Sequence, residues 1–306
     1  MFGLLIRRLL QLLPLLAGIS LLVFIFFQIV PGDPVQILLG MRGTAEMKAR
    51  LRSEWGLDQP VLVRLGIFYW QLLQGNLGES FYYRQSAWQV IRAALPHTLA
   101  LASVAVLIAA ALGLTVGITS AAFRHHWIDF MLTSLSLAAI SVPVFWLGFQ
   151  LQLWLGLNWK LLPISGAGYG LHLILPALAL APGSAGLFAR LTRSSMLEVL
   201  TQDYIRTGHA KGLSRGHVLR KHAFKNALIP IVTVIGLSFG DLMTGALLVE
   251  VIFARPGLGR LLVDAISARD FPLIQGIVLL VAVAYALVNL LVDLSYSWLN
   301  PQVRYE

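Results

Sequence analysis

Long apolar runs separated by short polar ones make up most of this chain, and its charges mark where each run stops. An ionisable group at the centre of a bilayer costs roughly 2.5–3.5 kcal/mol, so charge-free stretches guide the search for membrane crossings more strictly than averaged hydropathy. Residues 9–32, 93–123, 130–159 and 161–189 contain no Asp, Glu, Lys or Arg, and each exceeds the roughly 20 residues that span a hydrocarbon core. Two further runs are interrupted once each, 226–249 by Asp241 and 271–303 by Asp293. In the first, twelve Leu, Ile, Val or Phe residues, at about 0.3–0.6 kcal/mol apiece, outweigh one central Asp. The pattern predicts six transmembrane helices in an all-α integral membrane fold.

Composition agrees with this reading. Of 306 residues, 58% are hydrophobic and 12% charged, about half the charged share of a soluble domain, so too few polar residues remain for a soluble shell. The net charge of +9 would point to nucleic acid in a soluble protein, but its location gives another reason. With six spans both termini share a side, and that side carries 12 Lys and Arg in its tails and loops against Lys160, Arg255, Arg260 and Arg269 in the short loops opposite. The positive-inside rule then puts both termini in the cytoplasm and makes the charge a topology signal rather than a nucleic-acid footprint. There are no cysteines, which removes disulfides, thiolate metal sites and cysteine nucleophiles.

The expected order is a first transmembrane helix at 1–30, an extracytoplasmic region at 31–97, a five-helix core at 98–299 and a tail at 300–306. The start has the Arg7 and Arg8 of a signal peptide, but its apolar run is too long and no small-residue cleavage site follows, so it reads as a retained helix. Two amphipathic helices are expected outside, near 45–55 and 61–74, where Phe68, Tyr69 and Trp70 suit a membrane interface. Pro14, Pro143, Pro176 and Pro182 interrupt apolar runs, which a bilayer tolerates when neighbouring helices satisfy the freed carbonyls. Glycine pairs at 113 and 117, and at 236 and 240, allow close helix contact.

The cytoplasmic segment 190–227 is long for a loop and reads as a basic helical hairpin. Ser195 to Lys211 forms one helix with Met196, Val199 and Leu200 on a face; Gly212 and Leu213 break it. Ser214 caps a second helix, Arg215 to Asn226. Leu213, Val218, Leu219 and Phe224 are exposed in this reading unless a partner covers them. One account is an interfacial pair held by anionic lipid; the other is a docking element seated in a groove of a cytoplasmic protein.

The run YIRTGHAKGLSRGHVLRKHAFKNALIP at 204–230 resembles the coupling loop of ABC importer permeases of the peptide/nickel branch. Further blocks match in order: PGDP at 31–34, GLDQP at 56–60, PGLGRLLVDAISARDFPLIQG at 256–276 and the ending NLLVDLSYSWLNPQVRYE. The resemblance implies a type I importer permease core with an extracytoplasmic insertion after the first helix, in a bacterial cytoplasmic membrane. It implies pairing with a second, similar permease, docking on two ATPase subunits, and delivery of solute by an extracytoplasmic binding protein. The coupling role then falls on Arg206, Thr207, Gly208, Ala210, Lys211, Gly212, Leu213 and Ser214, with His222, Ala223 and Asn226 on the second helix. Gly208 replaces the usual Ala, at about 1 kcal/mol of helix propensity, and His209 replaces the usual Arg.

The chain lacks a GxxxxGK[ST] phosphate loop, so no cofactor is expected on it and ATP with Mg belongs to the partner ATPases. Asp241, in mid-span, should face the bundle interior or a watery cavity. There it either pairs with a neighbouring hydroxyl or amide or meets a cationic group of the solute. Glu250 is the second candidate on the solute path, although, like Asp293, it lies nearer an interface and could be anchored there. Peptides or a related small charged solute, and nickel or a metal chelate, remain open as cargo. An ion-coupled secondary transporter is the reading from another class, but no inverted repeat accompanies the dominant cytoplasmic loop.

Overall fold

The structure, a computed structural model, describes residues 2–29, 33–40, 43–218 and 223–299. Among these every regular element is helical. The chain divides into two compact units, Met1–His97 with Pro256–Ala286, and Thr98–Arg255 with Leu287–Glu306.

In the first unit α1 (Phe2–Ile29) is followed by α2 (Pro34–Leu39), α3 (Ala45–Glu54) and α4 (Val61–Leu73), the last two where the amphipathic pattern put them. Their starts follow from local chemistry. Asp33 accepts from the Val35 amide with Pro34 at the first helical position, and Thr44 accepts from the Met47 amide. α5 (Ala87–Ala122) starts here and carries Pro96 in its outer part. The unit closes with α12 (Leu258–Ala268) and the first half of α13 (Phe271–Leu299). Asp270, fully buried just before α13, accepts from the Ser80 hydroxyl and the amides of Tyr82 and Leu273. One carboxylate thereby fixes the turn at 80–83 and caps a long helix, which is why it can be buried without a cation.

The second unit is built on α8 (Leu171–Leu200), over half of whose apolar window is buried, against a third or less in the other helices long enough to cross a membrane. Small residues let its neighbours approach. A Cβ on Gly113 would lie 2.5 Å from Phe188 Cβ, and one on Gly117 would lie 2.5 Å from Thr192 Cβ, so α5 and α8 meet along the paired glycines singled out in the sequence. A Cβ on Gly236 would lie 2.5 Å from Val292 Cγ2, which gives the same close contact between α11 (Phe224–Ile252) and α13. Leu101, Leu175, Leu180, Val249 and Phe253 belong to one buried cluster of this unit.

Four of the expected crossings stand on length and composition among the described residues: 87–122, 171–200, 226–252 and 271–292. The first helix contributes a shorter described apolar stretch, Leu13–Phe26. The expected span 130–159 is broken at Pro143: α6 (Trp127–Ser141) and α7 (Val144–Leu151), the latter continued by a π-helical turn through Asn158, meet at 99° and make a fifth crossing only when counted together. Pro143 is the cause, because it offers no amide and forces Val142 into an extended conformation at ψ 124°. The next span also starts later than expected. Residues 161–170 form a loop held by Arg255, whose Nη1 donates to the carbonyls of Gly166, Gly168 and His172 at 3.1–3.3 Å. Burial pushes this guanidinium below its ordinary value, while the charge of Glu250 works in the opposite direction.

Candidate coupling site

The cytoplasmic segment differs from the predicted hairpin in two respects. α8 runs through Met196 to Leu200 and stops at Thr201, whose hydroxyl turns back to the Glu198 carbonyl at 2.7 Å, so Ser195 to Lys211 is not one helix. A separate α9 (Asp203–Ala210) follows. The Thr-Gln-Asp sequence accounts for the break, since these short polar side chains compete for backbone groups and favour helix ends. After Gly212, at φ +81°, the chain turns into α10 (Arg215–His217), a single turn capped by the Ser214 hydroxyl, which accepts from the His217 amide at 3.4 Å. Of the expected helix Arg215 to Asn226, residues 219–222, Leu219 among them, lie outside the described residues, and the described residues on both sides of them are helical. Val218 ends this described stretch, and α11 begins at Phe224 and runs on into its span.

The second difference concerns the apolar residues. Val218 is 1% exposed, and Leu213 and Phe224 are half-buried, against the exposure expected of them. They pack with Met196, Ile205, Ala223, Ala227 and Ile231 and with Ala121 of α5 in a cluster of their own. The hairpin therefore folds back on the ends of α5, α8 and α11, which cover Val218 and much of Leu213 and Phe224. Across it the Asn226 amide donates to the Tyr204 hydroxyl at 2.8 Å.

Outward from this base stand the candidate contact residues. Arg206, Thr207, Ala210, Lys211, Gly212 and Ser214 are exposed, Leu213 is partly covered, and Ala223 is fully buried and belongs to the base. Gly208 lies within α9; His222 lies outside the described residues. Asn226 is exposed and doubles as the tie to Tyr204.

Sequence reasoning missed the frame that carries this base. Arg193 of α8 grips Asp129 of α6 with Nε at 2.7 Å and Nη2 at 2.8 Å. Asp129 also accepts from the Ser120 hydroxyl of α5 and, at 3.2 Å, from the His125 amide. Three helices are thereby tied by one bidentate pair two turns before α9 begins. A signal was present: opposite charges bounding two spans at the same membrane face.

The two acids expected on the solute path part company. Glu250 is fully buried and accepts from the Thr98 hydroxyl at 2.6 Å, so it lines no open space in this conformation. Asp241 is exposed, together with Leu237, Thr244 and Leu248, on one face of α11.

Comparison with known proteins shows the family to which these long apolar helices and the basic segment belong. Residues 113–305 match the binding-protein-dependent transport system inner membrane component, and residues 1–102 match the N-terminal region of such membrane components. The chain belongs to this family. It is a multi-pass inner-membrane permease of the ABC importer class. It is 41% identical to the dipeptide transport system permease protein of Escherichia coli and 40% identical to the glutathione transport system permease protein of Salmonella typhimurium, in each case with all of both chains covered. Among solved structures, a chain of the MetNI methionine ABC transporter in an inward-facing conformation superposes with a TM-score of 0.61 at 17% identity, covering 69% of this chain and 97% of that one. At that identity the likeness concerns the fold, and it extends the type I importer architecture expected from the sequence to this permease.

Proposed function

We propose that this permease forms half of the translocation path of a peptide importer and that α9, with the turn at Gly212, transmits ATPase motion to it. One observation carries the proposal. α9 has its apolar residue Ile205 locked in a core shared by α5, α8 and α11, while Arg206, Thr207 and Lys211 face outward. A rigid base with a polar outer face can move the ends of three spans together when a partner pushes on it. ATP and Mg then act on separate ATPase subunits, two of them, with a second similar permease completing the path and both termini in the cytoplasm. An extracytoplasmic binding protein delivers the solute. The dipeptide and glutathione permeases among the relatives favour a peptide over nickel or a metal chelate.

The exposed Asp241 fits the same proposal. An exposed carboxylate in mid-span is costly against lipid, and is accommodated against a second permease or a water-filled path. There it would meet a cationic group such as a peptide amino terminus. Asp241→Asn should cut uptake and leave assembly and basal ATPase activity intact; unchanged transport kinetics would remove Asp241 from the path. Glu250 belongs, in this proposal, to the frame of the path rather than to its lining.

Co-expression with the ATPase subunits tests the coupling assignment. The chain should bring down an ATPase on purification, and the double change Arg206→Glu with Lys211→Glu, both at exposed positions, should release it without loss of the folded permease. Retention of the ATPase by that variant, or purification of the wild-type chain alone with proton-coupled flux, would overturn the proposal.

A further inference from the structure

We propose that α4, placed by its sequence in the extracytoplasmic region, is embedded in the outer leaflet of the membrane against α1, with its exposed apolar side chains in contact with lipid. Depth is fixed by three contacts to α1. The Arg64 guanidinium donates to the Gln28 side chain at 3.2 Å, the Phe68 ring stacks on Phe24 with centroids 6.0 Å apart, and the Tyr69 hydroxyl donates to the Ala17 carbonyl at 2.9 Å and meets the Ser20 hydroxyl at 3.1 Å. As the numbers rise along α4 they fall along α1, so α4 descends beside it from the outer end.

How far it descends follows from helix geometry. α1 ends at Ile29, and its charge-free run is 9–32. At about 1.5 Å per residue, Ser20 and Ala17 lie roughly 13 and 18 Å below Ile29, near the middle of a hydrocarbon core about 30 Å thick. Tyr69 reaches that level with a single side chain, so its own backbone lies within the outer leaflet. The hydroxyls at this depth are paired, with Ser20 fully buried and also bonded to Ala17, as a low-dielectric setting requires.

The outward face of α4 carries what such a position asks for. Leu62, Trp70 and Leu73 are 81%, 64% and 82% exposed, and Val61, Val63 and Ile67 are also open. On α1, Leu13, Leu22, Phe26 and Ile29 are exposed as well. Among residues 61–73 the one charge is Arg64, whose long stem lets its head reach upward to Gln28. Gln71 turns away from this face and lines an open cavity of about 540 Å³ with Gln28, Glu54, Trp55 and Phe81. Water is a poor occupant for so much open apolar surface on one helix, whereas acyl chains match it in chemistry and in depth. This inference rests on the membrane residence of the chain and stands apart from the coupling and substrate assignments.

The absence of cysteine makes the test direct. Single substitutions Leu62→Cys, Ile67→Cys and Leu73→Cys, with Glu46→Cys and Arg50→Cys on α3 as exposed references, are spin-labelled in the full chain. Each is purified with its co-expressed transporter subunits, reconstituted in phosphatidylethanolamine–phosphatidylglycerol vesicles, and checked by mass spectrometry for label on this chain. Collision with oxygen, which concentrates in lipid, should be several-fold higher relative to a water-soluble nickel relaxant at positions 67 and 73 than at 46 and 50, with position 62 between them. Collision with the water-soluble relaxant equal to that of the α3 references would place α4 in solvent. Low collision with both reagents would mean that a protein partner covers it. Either result overturns the inference.

Discussion

Two short helices outside the main spans, α4 and α9, are near opposites. α4 opens its apolar side chains and turns its hydrogen-bonding groups, Arg64 and Tyr69, toward α1. α9 hides Ile205 in a core and turns Arg206, Thr207 and Lys211 outward. Each is wrapped for a different surrounding: an apolar outer face lowers its free energy in lipid, and a charged one lowers it against water or a protein partner. The contrast shows that amphipathicity alone does not say which face of a short helix is inside. The packed side of a helix is decided by what its environment leaves unsatisfied.

The largest expected effect lies in the frame beneath α9. Arg193→Ala leaves Asp129 without its cation in a nearly closed site, and should destabilise the purified permease by about 3 kcal/mol, at the lower end for a broken buried pair because Arg193 itself stays about a third exposed. Thermal denaturation in detergent would measure it, and a smaller loss in Arg193→Ala than in Ser120→Ala would show that the pair is not the tie. The contrast between the two helices comes next. Leu73→Lys places a charge in lipid and should cost about 2 kcal/mol, less than a central position because lysine reaches toward the interface. Lys211→Leu, the reverse exchange at the end of α9, should leave stability nearly unchanged while weakening ATPase retention. Equal stability losses in the two variants would erase the distinction.

Ile205→Ala should cost about 2 kcal/mol locally as the cluster around Met196 and Val218 loses its filler, seen as faster proteolysis within 203–217 and weaker coupling with the spans still folded. Asp203→Asn should have the smallest effect. Its 3.5 Å pairing with Arg206 is almost fully exposed on both sides, and such pairs contribute roughly 0–1 kcal/mol, so denaturation midpoints of variant and parent should coincide.

Much of this architecture could be read before any coordinates. The charge-free runs located the long helices, the glycines at 113 and 117 announced the α5–α8 contact, and the polar breakers at Gly212 and Ser214 marked the turn after α9. The coupling segment itself was legible because its chemistry is local: glycine at a left-handed position and serine at a cap act on their immediate neighbours. What escaped was non-local. Pro143 was visible as a breaker, but whether its helix would kink or fold back by 99° depended on what α8 offered beside it. Val218 and Phe224 read as exposed because the residues that cover them, Ala121 and Met196 among them, are far away in sequence. Glu250 and Asp241 carry the same functional group in one helix, and only packing separates the buried one from the exposed one.

The sequence by itself determined that this chain lives in a membrane and where most of its helices run, because transfer free energy and backbone capping are set residue by residue. The tertiary structure decided which faces those helices show. It joined Arg193 to Asp129, sank Ile205 and Val218, and laid Tyr69 against the middle of α1. Those contacts link residues dozens of positions apart, and their energies exist only once the spans are packed.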